Sequence, residues 1–196
     1  MDSQTVKYLP LYRALFPGLV LVLFMVGMLC RPVSAGTEFT GSSQPFVFTD
    51  RSISAPTVPF FDVGNVVSRL TDYKGQVVLV NLWASWCGAC LYEMPELDAL
   101  QQAMAGKGLT VLTLNQDLTD GAAVRRFLDE RGFTGLTAHR DLNMLFGSAV
   151  GQTLLPMTLL FDTEGHGIGY LVGPAEWNSV AAREFIGGYL PTGAAD

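Results

Sequence analysis

The sequence predicts an α/β domain in which a central mixed β-sheet carries helices on both faces, preceded by an N-terminal apolar helix. Three observations point there. Two apolar, β-branched runs, Gln76–Trp83 and Leu109–Leu114, are each followed by a helical stripe, the strand–helix–strand order of a parallel unit. The runs Met157–Phe161 and Ile168–Val172 flank Asp162-Thr163-Glu164-Gly165, a hairpin signal, and a closing helix follows. Finally, 196 residues, 49% apolar and 15% charged, suffice for one core but not two, and are too apolar for a disordered or fibrous chain.

The first element is Ala14–Cys30, seventeen residues without a charge, preceded by Lys7 and Arg13 and followed by Arg31 and the small-residue run Val33-Ser34-Ala35. At ~1.5 Å per residue a helix of this length reaches about 25 Å, the lower edge of spanning lengths. Residues 1–35 therefore read as a membrane anchor, or as a signal peptide cut after Ala35. Residues 36–55, rich in Gly, Ser and Thr, read as a tether whose apolar patch Phe46–Phe48 can add an edge strand. The folded domain is expected over 56–191, with a tail at 192–196.

Within the domain, Val58–Phe61 is a short apolar run. Gln76–Trp83 is apolar on both faces, as suits a strand in the middle of a covered sheet. Met94, Leu97, Leu100 and Met104 recur at helical spacing up to a stop near Gly106, with Pro95 expected to kink the helix. After the strand Leu109–Leu114, Thr119 or Asp120 can cap a helix running through Val124, Phe127 and Leu128 to Gly132. A short strand at Leu136–His139, a helical turn at Leu142–Phe146, the hairpin, and a helix over Trp177–Tyr189 complete the series.

Charge and cysteine content exclude several functions. Residues 1–35 hold Lys7, Arg13 and Arg31 against Asp2, a net of +2, so of the chain's −6 the remainder carries −8. An acidic domain lacks the Lys and Arg patches that phosphate backbones require, so no nucleic-acid partner is expected. Three cysteines cannot build a disulfide-dense scaffold or a four-cysteine zinc site. Cys30 belongs to the apolar segment, leaving Cys87 and Cys90 in the domain.

Those two lie in Trp83-Ala84-Ser85-Trp86-Cys87-Gly88-Ala89-Cys90, at the junction of a buried strand and a helix. Two thiols at this spacing can close a small disulfide ring. The unpaired amides of a helix N-terminus lower the pKa of the first thiol and supply thiolate at neutral pH. Cys87 is then expected to attack a partner disulfide and Cys90 to resolve the mixed disulfide. Half a zinc site and an inert structural disulfide are the alternatives. The first lacks a second pair, with His139 and His166 far along the chain; the second would constrain the unfolded chain little across so small a loop.

The segment Val77–Pro95 (VVLVNLWASWCGACLYEMP), with Leu155-Pro156-Met157-Thr158 some 65 residues later and Gly173-Pro174-Ala175-Glu176-Trp177 beyond, resembles the TlpA and ResA-like thiol-disulfide oxidoreductases of the thioredoxin superfamily. The likeness covers roughly Pro56–Leu190 and is closest to the TlpA branch. It implies a thioredoxin-like fold, Cys87 as nucleophile, Cys90 as resolving thiol and no cofactor beyond their redox-active disulfide. It also implies a cis-proline at Pro156 whose loop, with Leu155, faces the disulfide and offers backbone to a partner, with Trp86 shielding the site. Gly88 and Ala89 replace the Gly-Pro of thioredoxin and help set the redox balance. Asn81 replaces the buried Asp of cytoplasmic thioredoxins and cannot take the proton that the buried thiol loses. Glu93, three residues after Cys90, matches an active-site Glu of the ResA-like proteins. With a pKa raised by partial burial it can relay that proton; a solvent-facing first-turn Glu favoured by the helix dipole is the alternative.

The resemblance further implies a periplasmic reductant at the bacterial cytoplasmic membrane, or soluble in the periplasm if the leader is cut. It would be fed by a membrane electron donor of the DsbD/CcdA type and would pass electrons to cysteine pairs of apocytochrome c or copper-site proteins. A DsbA-type oxidase or isomerase is the competing reading, and a copper chaperone using the CxxC pair the weaker one. No metal ligand set is expected.

Overall fold

The computed structural model describes residues 39–42, 44–49, 54–118, 120–152 and 154–191. The apolar segment at 1–35, the tail at 192–196 and the capping candidate Thr119 lie outside them. Among the described residues no helix is long and apolar enough to cross a membrane.

Eight strands form one sheet in the order β1-β8-β7-β4-β5-β6-β2-β3. They are β1 (Val47–Phe48), β2 (Phe60–Phe61), β3 (Val67–Ser68), β4 (Val77–Trp83), β5 (Leu109–Asn115), β6 (His139–Arg140), β7 (Met157–Phe161) and β8 (Gly167–Val172). The helices are α1 (Gly88–Ala103), α2 (Gly121–Asp129), α3 (Leu145–Ala149) and α4 (Val180–Gly187). Strands β4, β5 and β6 are parallel and the remaining pairs antiparallel, so the sheet is mixed as the sequence predicts.

All seven residues of β4 are buried, because both faces of the sheet are covered. The period of two sorts them. Val77, Leu79 and Trp83 join Met94, Leu97 and Leu100 of α1 in one core, which also takes in Val124 and Leu128 of α2 and Phe185 and Ile186 of α4. Val78, Val80 and Leu82 join Phe60, Leu112 and Phe146 on the other face. Trimming one of these leucines to Ala would cost about 2–5 kcal/mol. The same alternation places Asn81, with its odd-numbered neighbours, on the α1 face.

Several boundaries differ from the sequence reading, each for a local reason. The short strand lies at His139–Arg140, where Leu114 and Asn115 supply parallel partners, and not at Leu136–His139. The turn after it is a 3-10 turn at Leu142–Met144 leading into α3. Asp120 caps α2, its carboxylate accepting from the Ala122 amide at 3.1 Å. Helix α1 runs through Pro95, which is exposed, so the carbonyl one turn back loses its amide partner without the helix ending. The closing helix starts at Val180, since the Ser179 hydroxyl accepts from the Ala182 amide and fixes the N-cap there. Trp177 therefore stands in the preceding loop. Finally, the stretch read as a tether contributes more than an edge strand: Phe39 and Phe46 are buried in the core on the α1 face, and β1 pairs with β8.

Candidate active site

Strand β4 delivers the chain to the site, and the turn after it is braced. Asp117, just past β5, accepts from the Ser85 amide at 2.8 Å and from the Ser85 hydroxyl, and also from the Asn115 side chain at 2.8 Å. Parallel pairing of Trp83 with Asn115 brings that carboxylate level with the turn. Cys87 then takes the N-cap position of α1.

Cys87 and Cys90 are joined as a disulfide, with Cα atoms 5.2 Å apart. The Cys90 amide donates to the Cys87 sulfur at 3.2 Å, an unpaired helix-terminal donor aimed at the atom that carries charge in the reduced form. Cys87 is 6% exposed and Cys90 fully buried, so attack from outside falls on Cys87. Trp86, just before Cys87, is 73% exposed, and Gly88 and Ala89 just after it are exposed too.

The Leu155–Pro156 peptide is cis, as the resemblance implied. Met157 pairs with Leu82, which sets Pro156 at the end of β4 where the active-site turn begins. The Pro156 carbonyl accepts from the Gly173 amide at 2.9 Å. Leu155 and Trp86 line one groove of about 390 Å³, together with Ala84, Met144 and Leu154, its polar wall made by Gln116, Gln152 and Asp117. Gln116 and Gln152 exchange amide hydrogen bonds of 2.6 and 3.0 Å, tying the end of β5 to the loop that carries the cis-proline.

About one turn beyond Cys90 on α1, Glu93 is fully buried rather than partly so, which rules out the solvent-facing position. Its Oε1 accepts from the Asn81 side chain at 2.7 Å; its Oε2 accepts from the Trp177 indole at 2.8 Å and the Ala175 amide at 3.1 Å. Burial raises its pKa to about 7, the hydrogen bonds from Trp177, Asn81 and Ala175 holding it back from going further. Asn81 also donates to the Thr158 hydroxyl at 2.9 Å, across the β4–β7 register that pairs the two residues.

Trp177 and Ala175 were missed as site residues in the sequence. Trp177 looks there like the first turn of a helix, and the only local signal against it is the Ser179 cap. His139 is buried, its ring edge-on to Phe60 and its pKa lowered by burial, and His166 lies in the β7–β8 turn with Asp162 and Glu164. Among the described residues no group of three or more His, Cys, Asp or Glu sits together to hold a metal.

A thioredoxin-like sheet with a disulfide at the N-terminus of its first helix, a cis-proline beside it and a buried carboxylate on the same helix defines the dithiol–disulfide class of oxidoreductase. Residues 52–182 match the Redoxin family, and the chain belongs to it. It is similar to the thiol-disulfide oxidoreductase ResA of Bacillus anthracis, 29% identical over 136 residues, 69% of this chain and 74% of that one. It is also similar to the thiol:disulfide interchange protein DsbE of Pseudomonas aeruginosa, 35% identical over 112 residues, 55% and 59% of the two chains. In fold it matches a Chlorobium tepidum protein assigned as a thiol:disulfide interchange protein DsbE, with TM-score 0.60 at 24% identity over 69% of this chain and 95% of that one.

Proposed function

We propose that this thiol-disulfide oxidoreductase works as a protein-disulfide reductase outside the cytoplasm, with Cys87 as nucleophile, Cys90 as resolving thiol and Glu93 as proton carrier. The observation that supports it best is the asymmetry of the pair: Cys87, next to the exposed Trp86, keeps some exposure, whereas Cys90 is fully buried on the helix that carries Glu93.

In the reduced protein the Cys87 thiolate attacks one sulfur of a partner disulfide, whose other sulfur leaves as a thiolate. A mixed disulfide with Cys87 results. Cys90 then gives its proton to the Glu93 carboxylate and attacks the Cys87 sulfur, expelling the partner's second thiolate. Two electrons have passed to the partner, and the enzyme holds the Cys87–Cys90 disulfide seen here. The bound partner lies in the groove between Trp86 and Leu155. A dithiol donor of the DsbD/CcdA type, in the membrane at which residues 14–30 would hold the chain, returns the two electrons. Cysteine pairs of apocytochrome c or copper-site proteins are the proposed acceptors, following the resemblance.

The test is insulin reduction by the full chain, with Cu(I) binding measured alongside and the potential of the pair taken from equilibration with glutathione or dithiothreitol. Reductase activity, with a potential well below the poise of an oxidising compartment, is expected. A potential above that poise makes the protein an oxidant, and stoichiometric Cu(I) binding without reductase activity makes it a copper carrier. Cys90→Ser is expected to trap the natural acceptor as a mixed disulfide, and Cys87→Ser to abolish exchange.

A further inference from the structure

Two of the three donors that bind Glu93 come from the short stretch Ala175–Trp177, which has no regular structure of its own. The arm Phe39–Phe48 lies directly on that stretch. The Phe39 ring packs against Trp177 with centroids 5.1 Å apart and against Phe185 at 5.6 Å. The Ser42 amide donates to the Pro174 carbonyl at 2.9 Å, one residue before Ala175. The Phe46 amide closes the arm onto the Phe39 carbonyl at 2.9 Å, and its ring sits 4.8 Å from Phe185. At Gly41 the approach is so close that a Cβ would fall 2.8 Å from the Leu171 side chain and 3.1 Å from the Pro174 carbonyl. Phe39 is only 5% exposed and Trp177 is fully buried.

We propose that this arm is a covering element of the active site: by seating Phe39 on Trp177 and tying Ser42 to Pro174, it seals the Glu93 carboxylate from water. The inference rests on the reading of Glu93 as the proton carrier only for its effect on rate. The groups that face Glu93 are Asn81 from β4, backed by Thr158 of β7, and Ala175 and Trp177 from the loop after β8; none of them is charged. On its own helix Cys90 is held in the disulfide, and Glu96 accepts from the Asn178 amide. Glu176 of the loop is exposed. Two opposing influences thus govern the carboxylate: its exclusion from water, which the arm maintains and which favours the neutral form, and the hydrogen bonds from Trp177, Asn81 and Ala175, which favour the charged form.

These act in opposite directions, and that makes the arm's role testable. The Glu93 titration is followed in the full-length oxidised chain by infrared difference spectroscopy with labelled glutamate, the band being assigned by its loss in Glu93→Gln. Phe39→Ala admits water and is expected to lower the midpoint by about one pH unit, a tenfold change in the ionisation ratio. Gly41→Ala, which wedges the arm off Leu171 and Pro174, is expected to shift it the same way. Phe39→Leu, which keeps an apolar cover, stays near the unsubstituted value, and Trp177→Phe, which keeps the ring but removes the donor, raises the midpoint. An unmoved midpoint in folded Phe39→Ala, or in Gly41→Ala where the former does not fold, overturns the inference. The same variants are assayed for the pH dependence of disulfide exchange. A titration that moves while the rate profile stays put supports the arm's role and removes Glu93 as proton carrier.

Discussion

Asn81 on β4 donates its side-chain amide to Glu93 on α1 across 2.7 Å, and both are fully buried. The strand position, carboxylic in cytoplasmic thioredoxins, here supplies a neutral donor, and the one carboxylate stands on the helix. The amide serves either protonation state of its partner. Toward the carboxylate it presents Nδ2, leaving Oδ1 buried and without a partner among the described residues. Toward a protonated Glu93 it can turn over, so that Oδ1 accepts the proton carried on Oε1 and the Thr158 hydroxyl donates in its turn.

Asn81→Asp would place two carboxyls within hydrogen-bond distance in a buried site. They would share one proton, as like charges so close cannot both ionise. The exchange rate is then expected to follow two separated apparent pKa values, the upper one above 7. A profile with the single limb of the unsubstituted protein would show that Asn81 and Glu93 are not coupled.

Glu93 also sets a pH dependence of stability. Its pKa in the folded oxidised protein is about 7 against an ordinary 4.5, so between those values the unfolded chain has lost a proton that the folded one keeps. Stability from this group is therefore greatest below pH 4.5, falls as the pH rises to about 7 and is level beyond, a loss of up to about 3 kcal/mol. Urea unfolding of the oxidised protein across that range should show the fall, and Glu93→Gln should lack it. Parallel curves for the two proteins would contradict the assignment.

The reciprocal amide bonds between Gln116 and Gln152 hold one wall of the groove beside the disulfide. Gln152→Ala is expected to raise the KM for a protein disulfide several-fold with kcat nearly unchanged, because the loop carrying Leu155 and Pro156 loses its tie while the cysteines keep theirs. Steady-state kinetics decide this. An equal fall in kcat would place the pair in the chemical step instead.

Gly147 lies under the same pair, where a Cβ would come within 2.1 Å of the Gln152 side-chain oxygen. Gly147→Ala should force the glutamines apart at little cost in unfolding free energy, because the atoms it meets are the ends of flexible side chains. It should also reproduce the KM effect of Gln152→Ala, so the two changes together should add little in KM to either alone.

What the sequence makes legible here is what depends on neighbours along the chain. Val77–Trp83 reads as a central strand because every residue but Asn81 is apolar. The cysteine pair and Glu93 are visible because they recur every third residue at the start of one helix. Asn81 is visible only as a departure, since the meaning of its side chain comes from a residue 12 positions away. Trp177 is 84 positions from Glu93, and no local pattern announces such a contact. The two-residue strands β2 and β3 exist because they pair with each other and because Phe61 of β2 pairs with Arg140 of β6, a distant partner. Phe39 looks like tether because Gly, Ser and Thr surround it, and its burial comes from Trp177 and Phe185.

The proton transfer from Cys90 to Glu93 is tested most directly by following resolution of a preformed mixed disulfide at Cys87 in rapid-mixing experiments from pH 5 to 9. The rate is predicted to rise with ionisation of Glu93, half-maximal near pH 7, and to lose that limb in Glu93→Gln while Cys87 still forms the mixed disulfide at its usual rate. Superimposable profiles for the two proteins would contradict the account.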